Sequence, residues 1–277
     1  MIKTITVEDI EGVVGFKVSD HCKKLITTFN LQYKEPTKEE RDTIILDILN
    51  TLNTPLETAG KHKLEKWEKG WYENFELLKQ HKDISSLVPK YFGILNEYVG
   101  TNYDNLYEFG CGPAYHLLRF REFNKNINLI GLDWATSSQN IINEIVELGI
   151  ADNIKGYNFN YFEPDSNINI DPRSAIFTCA SLEQMGENYK DFVNYLIYKK
   201  PDLCINFEPM SEILNKDSLV DKLSMLYFEK RNYLKNYLTY LKELEKEGVI
   251  EIIKEQRLYS GSYFIEGYPI VIWRPKK

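Results

Sequence analysis

Leu106-Tyr107-Glu108-Phe109-Gly110-Cys111-Gly112-Pro113-Ala114 runs from a short apolar strand into two closely spaced glycines, and Tyr115–Phe123 follows with helical spacing. Glycines at the end of a strand let the chain turn sharply and let a ligand approach the backbone. The helix after them offers N–H groups that have no partner within the helix. Beyond this turn the pattern repeats. Ile127–Leu132 is an apolar strand ending at Asp133, and Ser138–Leu148 is a helix closed by Gly149. Lys155–Phe159, Ser174–Ala180 and Leu203–Phe207 read as further strands, with a helix at Asp191–Tyr198 and a long one at Leu219–Glu247. Val249–Lys254 and Gly267–Arg274 form a closing hairpin. Strands alternating with helices predict an α/β fold: a doubly wound, mostly parallel seven-stranded sheet with a C-terminal antiparallel hairpin.

The first 100 residues have a different pattern and predict a mainly helical N-terminal extension, so the chain divides into 1–100 and 101–277. Thr37 and Glu40 form a capping box after Pro36, and Ile44, Ile45, Ile48, Leu49 and Leu52 follow at helical spacing. Leu64, Trp67, Trp71, Phe75 and Leu78 recur every three or four residues, giving an amphipathic helix with an aromatic stripe. Leu87–Val99 is one more helix.

Two features discriminate between ligands at the glycine turn. A dinucleotide fingerprint needs Gly-x-Gly-x-x-Gly, and the third position here is Tyr115. Glu108 stands two residues before the first glycine, where it suits a cationic or amine-bearing ligand better than a pyrophosphate. Asp133 ends the next strand, and a carboxylate there can accept two hydrogen bonds from a ribose diol. S-adenosylmethionine carries a sulfonium, an α-ammonium group and a ribose.

With these residues in place, Glu108-Phe109-Gly110-Cys111-Gly112 resembles the first motif of class I S-adenosylmethionine-dependent methyltransferases, with Ala114 where a third glycine is common. Gly131-Leu132-Asp133-Trp134 resembles the second motif. The resemblance spans about 106 to 210 and implies that Glu108, Gly110, Cys111, Gly112 and Ala114 line the cofactor. It further implies that Asp133 holds the ribose and that Trp134 lies beside the adenine. Asn160-Tyr161 stands where the family often places an Asp and an apolar residue, so Asn160 can accept from the adenine amine. Cys179-Ala180-Ser181-Leu182-Glu183-Gln184 resembles the exit of the fourth strand, with Gln184 where His is frequent. Trp67 and Trp71 belong to a helix similar to the N-terminal cover of such enzymes, a lid that excludes water.

The sulfonium is an activated methyl donor, so the protein must hold a nucleophile in line with it, with a base if the acceptor is a hydroxyl or protonated amine. Glu183 and Glu208, at the exits of the fourth and fifth strands, are the candidates to act as base, to bind a cationic acceptor or to bridge a divalent metal. His116 is read as packing against the glycine loop. Tyr259 and Tyr263 are placed on the wall of the acceptor pocket.

Composition narrows the partners. The net charge is -7, and Lys and Glu are interspersed as solvated helix faces, which disfavours nucleic acid. Hydrophobic residues make up 43% of the chain, enough for a large core, yet no run is long and apolar enough for a membrane span. Cys22, Cys111, Cys179 and Cys204 are scattered without metal-ligand spacing, and no secretory signal opens the chain. The expectation is a cytoplasmic enzyme with S-adenosylmethionine as cofactor and a small-molecule acceptor methylated on O or N. The rivals are a protein or peptide methyltransferase, a non-catalytic S-adenosylmethionine-binding protein, and a nicotinamide oxidoreductase, which Glu108 and Tyr115 disfavour.

Overall fold

The computed structural model describes residues 61–80, 89–258 and 268–276. The helix expected after Pro36, Tyr259 and Tyr263 lie outside them. Two helices, α1 (Lys61–Gln80) and α2 (Pro89–Tyr98), precede a seven-stranded sheet. The strands are β1 (Asn105–Phe109), β2 (Asn128–Asp133), β3 (Ile154–Asn158), β4 (Ser174–Cys179), β5 (Leu203–Phe207), β6 (Ile250–Gln256) and β7 (Ile270–Pro275). Their order is β3-β2-β1-β4-β5-β7-β6. The β3-β2-β1-β4-β5 neighbours pair in parallel, and β7 runs antiparallel to both β5 and β6.

Strands β1 and β5 are buried along their whole length, polar Asn105, Glu108 and Asn206 included, so neither shows the one-sided alternation of a half-exposed strand. Successive side chains still serve opposite faces. Leu106, Leu129, Phe177 and Ile205 pack beneath α1, α2, α3 (Tyr115–Phe123) and α4 (Thr136–Glu147). Tyr107, Phe109, Ile130 and Trp273 pack beneath α5 (Lys190–Lys199) and, after α6 (Leu219–Lys230), beneath α7 (Tyr237–Lys246). Each fully buried Phe, such as Phe109 or Phe192, contributes ~1.5–3 kcal/mol by leaving water. Phe75 of α1 and Phe92, Leu95 and Val99 at α2 belong to the first of these cores. The change of pattern near residue 100 is therefore not a gap in packing.

The single helix expected over 219–247 is two helices. Asn232 and Asn236 take left-handed φ values of 50° and 58°, which Asn tolerates better than most residues. Glu212 Oε1 then accepts from Leu238 N at 2.9 Å and from Thr239 N at 3.3 Å, capping α7 from outside. The apolar spacing continues across the break because Tyr233 and Leu234 are buried in the connection itself. The crossover from β3 to β4 runs through 159–173 without a helix. It is held instead by Tyr195 Oη donating to Ile168 O at 3.1 Å and by Lys199 Nζ donating to Ser166 O at 2.6 Å. Among the described residues, no helix is long and apolar enough to cross a membrane.

Candidate cofactor and active site

The parallel register sets Phe109 beside Leu132, so β1 and β2 end together. Gly110 N and Cys111 N both donate to Leu132 O, at 2.7 and 3.1 Å, which turns the chain across the top of β2. Gly110 has φ +75°, and a Cβ there would fall 2.2 Å from Ser181 Cβ. Gly112 has φ +50°, and a Cβ there would meet the Trp71 ring at 3.4 Å. The two glycines thus admit β4's exit on one side and the α1 helix on the other. Gly112 N donates to Asp133 Oδ2 at 2.8 Å, and Ala135 N donates to Asp133 Oδ1 at 2.8 Å. Asp133 consequently fixes the glycine loop to the start of α4 and keeps further lone pairs for a ligand.

A cavity of about 300 Å³ opens above this loop. That is at the lower end of the ~300–1,000 Å³ usual for small-ligand sites. Gly110, Cys111, Gly112 and Asp133 form its floor. Trp134, Asn160, Tyr161 and Cys179 line it as well, as do Trp67 and Trp71 of α1, the latter packed over Gly112. Trp134 and Phe162, both on the cavity wall, pack against each other with ring centroids 6.0 Å apart and planes tilted by 59°. Asn160 Oδ1 accepts from Phe162 N at 3.0 Å, so the Asn first serves its own turn. Tyr161 Oη and Ser181 Oγ are 3.0 Å apart. Helix α1 is tied down by a contact that its sequence did not announce. Glu68 accepts from Thr136 N at 2.5 Å and from Ser137 N at 2.6 Å, supplying α4 with the cap that Ala135 lacks. Trp71 Nε1 is buried and has no partner among the described residues, which leaves a donor for a ligand.

The remaining expected site residues are not on the cavity wall. Ala114 is buried beneath it as the N-cap of α3, with φ 61°. Glu108 lies behind His116, and its charge is already committed: His116 Nδ1 and Glu108 Oε1 are 2.6 Å apart. Burial raises the Glu108 pKa and the imidazole opposes it. His116 itself lines the cavity. Burial works against its charged form, but Cys179 and Glu108 on either side prevail and hold its pKa well above the usual value. Burial raises the Cys179 thiol, with His116 opposing.

Glu208, expected as a catalytic candidate, is fully buried and spends both oxygens on backbone. Its Oε1 accepts from Ser181 N at 3.2 Å and Leu182 N at 3.1 Å, and its Oε2 from Glu183 N at 3.0 Å. It caps the short 3-10 turn Leu182–Met185 and so positions the β4 exit, and it is not among the residues that line the cavity. Burial, and then the neighbouring Glu183 carboxylate, push its pKa up to about 8. Glu183, the other candidate, stands one hydrogen bond from the cavity. Gln184, which lines the cavity, donates to Glu183 Oε1 at 2.9 Å. Tyr268 and Tyr233 lie against its carboxyl, and burial pushes its pKa up to about 7.

Burial of Glu183 makes the stability of the fold depend on pH. An acid whose pKa rises on folding from 4.5 to about 7 stabilises the fold fully below pH 4.5 and loses that contribution as pH climbs through 7. In paired urea unfolding curves between pH 5 and 8, Glu183→Gln is expected to gain on the wild type by ~2–3 kcal/mol, since each tenfold change in proton affinity is worth about 1.4 kcal/mol. Parallel pH profiles for the two proteins would contradict this placement of Glu183.

No protein-family model matches the chain, and no curated protein does. Solved structures do. An O-methyltransferase from neocarzinostatin biosynthesis, in complex with S-adenosylmethionine and 2-hydroxy-5-methyl naphthoic acid, aligns with a TM-score of 0.54 at 11% identity, over 85% of this chain and 69% of its own. The methyltransferase domain of a bacterial Hen1 aligns with a TM-score of 0.50 at 11% identity, over 68% of this chain and 95% of its own. The small RNA methyltransferase HEN1 aligns with a TM-score of 0.50 at 15% identity, over 70% of this chain and 26% of its own. The chain has the Rossmann-like fold of the class I S-adenosylmethionine-dependent methyltransferases.

Proposed function

We propose that the protein transfers a methyl group from S-adenosylmethionine to an oxygen or nitrogen of a small-molecule acceptor. The observation that carries this reading is the union, in one cavity, of the Gly110–Gly112 turn, the Asp133 carboxylate bonded to Gly112 N at 2.8 Å, and the tryptophans of α1. The residues fit the cofactor group by group. Asp133 offers acceptors to a ribose diol, Trp134 and Phe162 offer aromatic surface to a planar base, and Trp71 Nε1 offers a donor with no partner among the described residues. When bound, the sulfonium supplies an electrophilic methyl group. The chain's own part is to orient the acceptor, exclude water beneath α1 and take up a proton where the acceptor loses one.

Glu183 is the residue we assign to that proton; Gln184 holds its carboxyl beside the cavity wall, and the proton reaches Glu183 from the acceptor through water, since an amide does not relay it. Glu183 is the buried carboxyl nearest the cavity wall with a pKa close to neutrality, the range in which a general base works best. Both the O-methyltransferase and the small RNA methyltransferase share this fold, so the fold alone does not choose the acceptor. The net charge of -7 and the cavity of about 300 Å³ favour a small acceptor over a phosphate backbone or a long peptide.

Thermal unfolding with S-adenosylhomocysteine and, separately, with NADH tests the reading. A ligand at 100 times its dissociation constant stabilises by ~2.7 kcal/mol. The expected result is a shift of several degrees with S-adenosylhomocysteine and none with NADH. The reverse would make the glycine turn a dinucleotide site.

A further inference from the structure

We propose that Glu68 is a positioning residue for the cofactor: its carboxylate locks the tryptophan-bearing face of α1 to the start of α4 and so sets how long the cofactor stays bound. The inference rests on the cofactor reading above and adds to it a residue that does not itself line the cavity.

Three consecutive backbone donors open α4. Ala135 N donates to Asp133 Oδ1 at 2.8 Å, Thr136 N to Glu68 Oε1 at 2.5 Å and Ser137 N to Glu68 Oε2 at 2.6 Å. Two carboxylates distant in sequence thus share the first turn of the helix. The N-cap residue does not compete with them, since Ala135 has no side-chain acceptor. Asp133 is the carboxylate that meets the ribose in the cofactor reading, and Glu68 is close enough to bear on its charge. Lifting Glu68 away would leave two N–H groups of this turn without a partner, so α1 is held down by what α4 needs.

Helical geometry turns this cap into a hold on the tryptophans. Glu68, Trp71, Tyr72 and Phe75 stand at i, i+3, i+4 and i+7 and share one face of α1. On that face Phe75 is 1% exposed and belongs to the core, and Tyr72 Oη accepts from Asn140 Nδ2 at 3.0 Å. The Trp71 ring lies over Gly112, where an added Cβ would meet it at 3.4 Å. Trp71 is therefore gripped from two sides, by Glu68 before it and by Tyr72 and Phe75 after it. Gly70, between Glu68 and Trp71, weakens the helix that would otherwise carry the ring, so the grip at Glu68 matters more. Trp67 precedes Glu68 directly and lines the cavity with Trp71. Without Glu68, the tryptophan end of α1 is free to lift from the glycine turn, and bound cofactor leaves sooner.

The alternative is that Glu68 only caps α4, and two substitutions separate the roles. Dissociation of S-adenosylhomocysteine would be followed by stopped-flow tryptophan fluorescence, and exposure of the tryptophans by acrylamide quenching without ligand. Glu68→Ala is expected to speed dissociation by about 10- to 100-fold, the range of one charge-assisted contact, and to raise quenching. Adding Ala135→Ser to Glu68→Ala gives α4 an N-cap of its own but leaves α1 untethered. This double variant is expected to melt closer to the wild type while keeping the fast dissociation and the raised quenching. Glu68→Gln keeps an acceptor oxygen without the charge; it is expected to fall between the wild type and Glu68→Ala, and it carries the test if Glu68→Ala does not fold. Wild-type dissociation and quenching in the Glu68 variants, or their full return in the double variant, would overturn the inference alone. A wild type that binds no S-adenosylhomocysteine would overturn the cofactor reading together with it.

Discussion

Glu208→Ala is expected to lower the unfolding free energy by ~3–5 kcal/mol, a large share of the ~5–15 kcal/mol typical of a folded protein. The three N–H groups of Ser181, Leu182 and Glu183 end on its two oxygens. Leaving buried donors without partners costs ~1–3 kcal/mol each, less whatever water recovers in the space vacated. Relief of the repulsion with Glu183 offsets part of this. Glu208→Gln is expected to fall between the wild type and Ala. Its carbonyl keeps one set of N–H groups, while its amide N–H₂ opposes the other. Equilibrium urea unfolding of the two variants measures this, and a loss under ~1 kcal/mol in Glu208→Ala would show that the turn is held by something else.

Asp133→Ala is expected to weaken S-adenosylhomocysteine binding by at least 100-fold, the largest effect on affinity expected of any single substitution in the cavity. Two losses combine. The ribose acceptors disappear, and Gly112 N and Ala135 N lose their common anchor, so the loop no longer holds its shape. Each charge-assisted hydrogen bond is worth ~1.5–3 kcal/mol. Stability of the protein without ligand is expected to fall as well, by ~1–3 kcal/mol. Calorimetric titration gives the first quantity and urea unfolding the second. A variant that loses stability yet binds as tightly as the wild type would place the ribose elsewhere.

The parts of the fold that local patterning controls are legible in the sequence. Seven strands, the parallel order implied by their alternation with helices, and the final antiparallel pair follow from apolar runs and their breaks. The glycine turn and Asp133 are legible for a similar reason: both lie at strand ends, where a strand assignment fixes the position. The helix break at 231–236 is hidden because Tyr233 and Leu234 are buried in the connection and continue the apolar rhythm. The paired residues Asn232 and Asn236, both in the left-handed region, are the signal that marks it.

The site's electrostatics are less legible because they depend on partners distant in sequence. Glu108 reads as a free carboxylate until α3 folds back and brings His116 to 2.6 Å. The spacing of the two, strand end and first helical turn, is the signal that permits the pairing. Nothing in the local sequence marks Glu68 as the cap of a helix beginning at Thr136, since that contact exists only once α1 lies over the sheet. Glu183 and Glu208 stand at the strand exits where ligands of open α/β sheets bind, yet both point into the protein beside the cavity rather than into it.

The most direct test is a crystal structure of the protein grown with S-adenosylhomocysteine. The expected result is density beside Trp67 and Trp71, with the ribose hydroxyls on Asp133 and the base against Trp134. Density for the ligand elsewhere, or a cavity that stays closed to it at saturating concentration, would contradict the methyl-transfer account at its foundation.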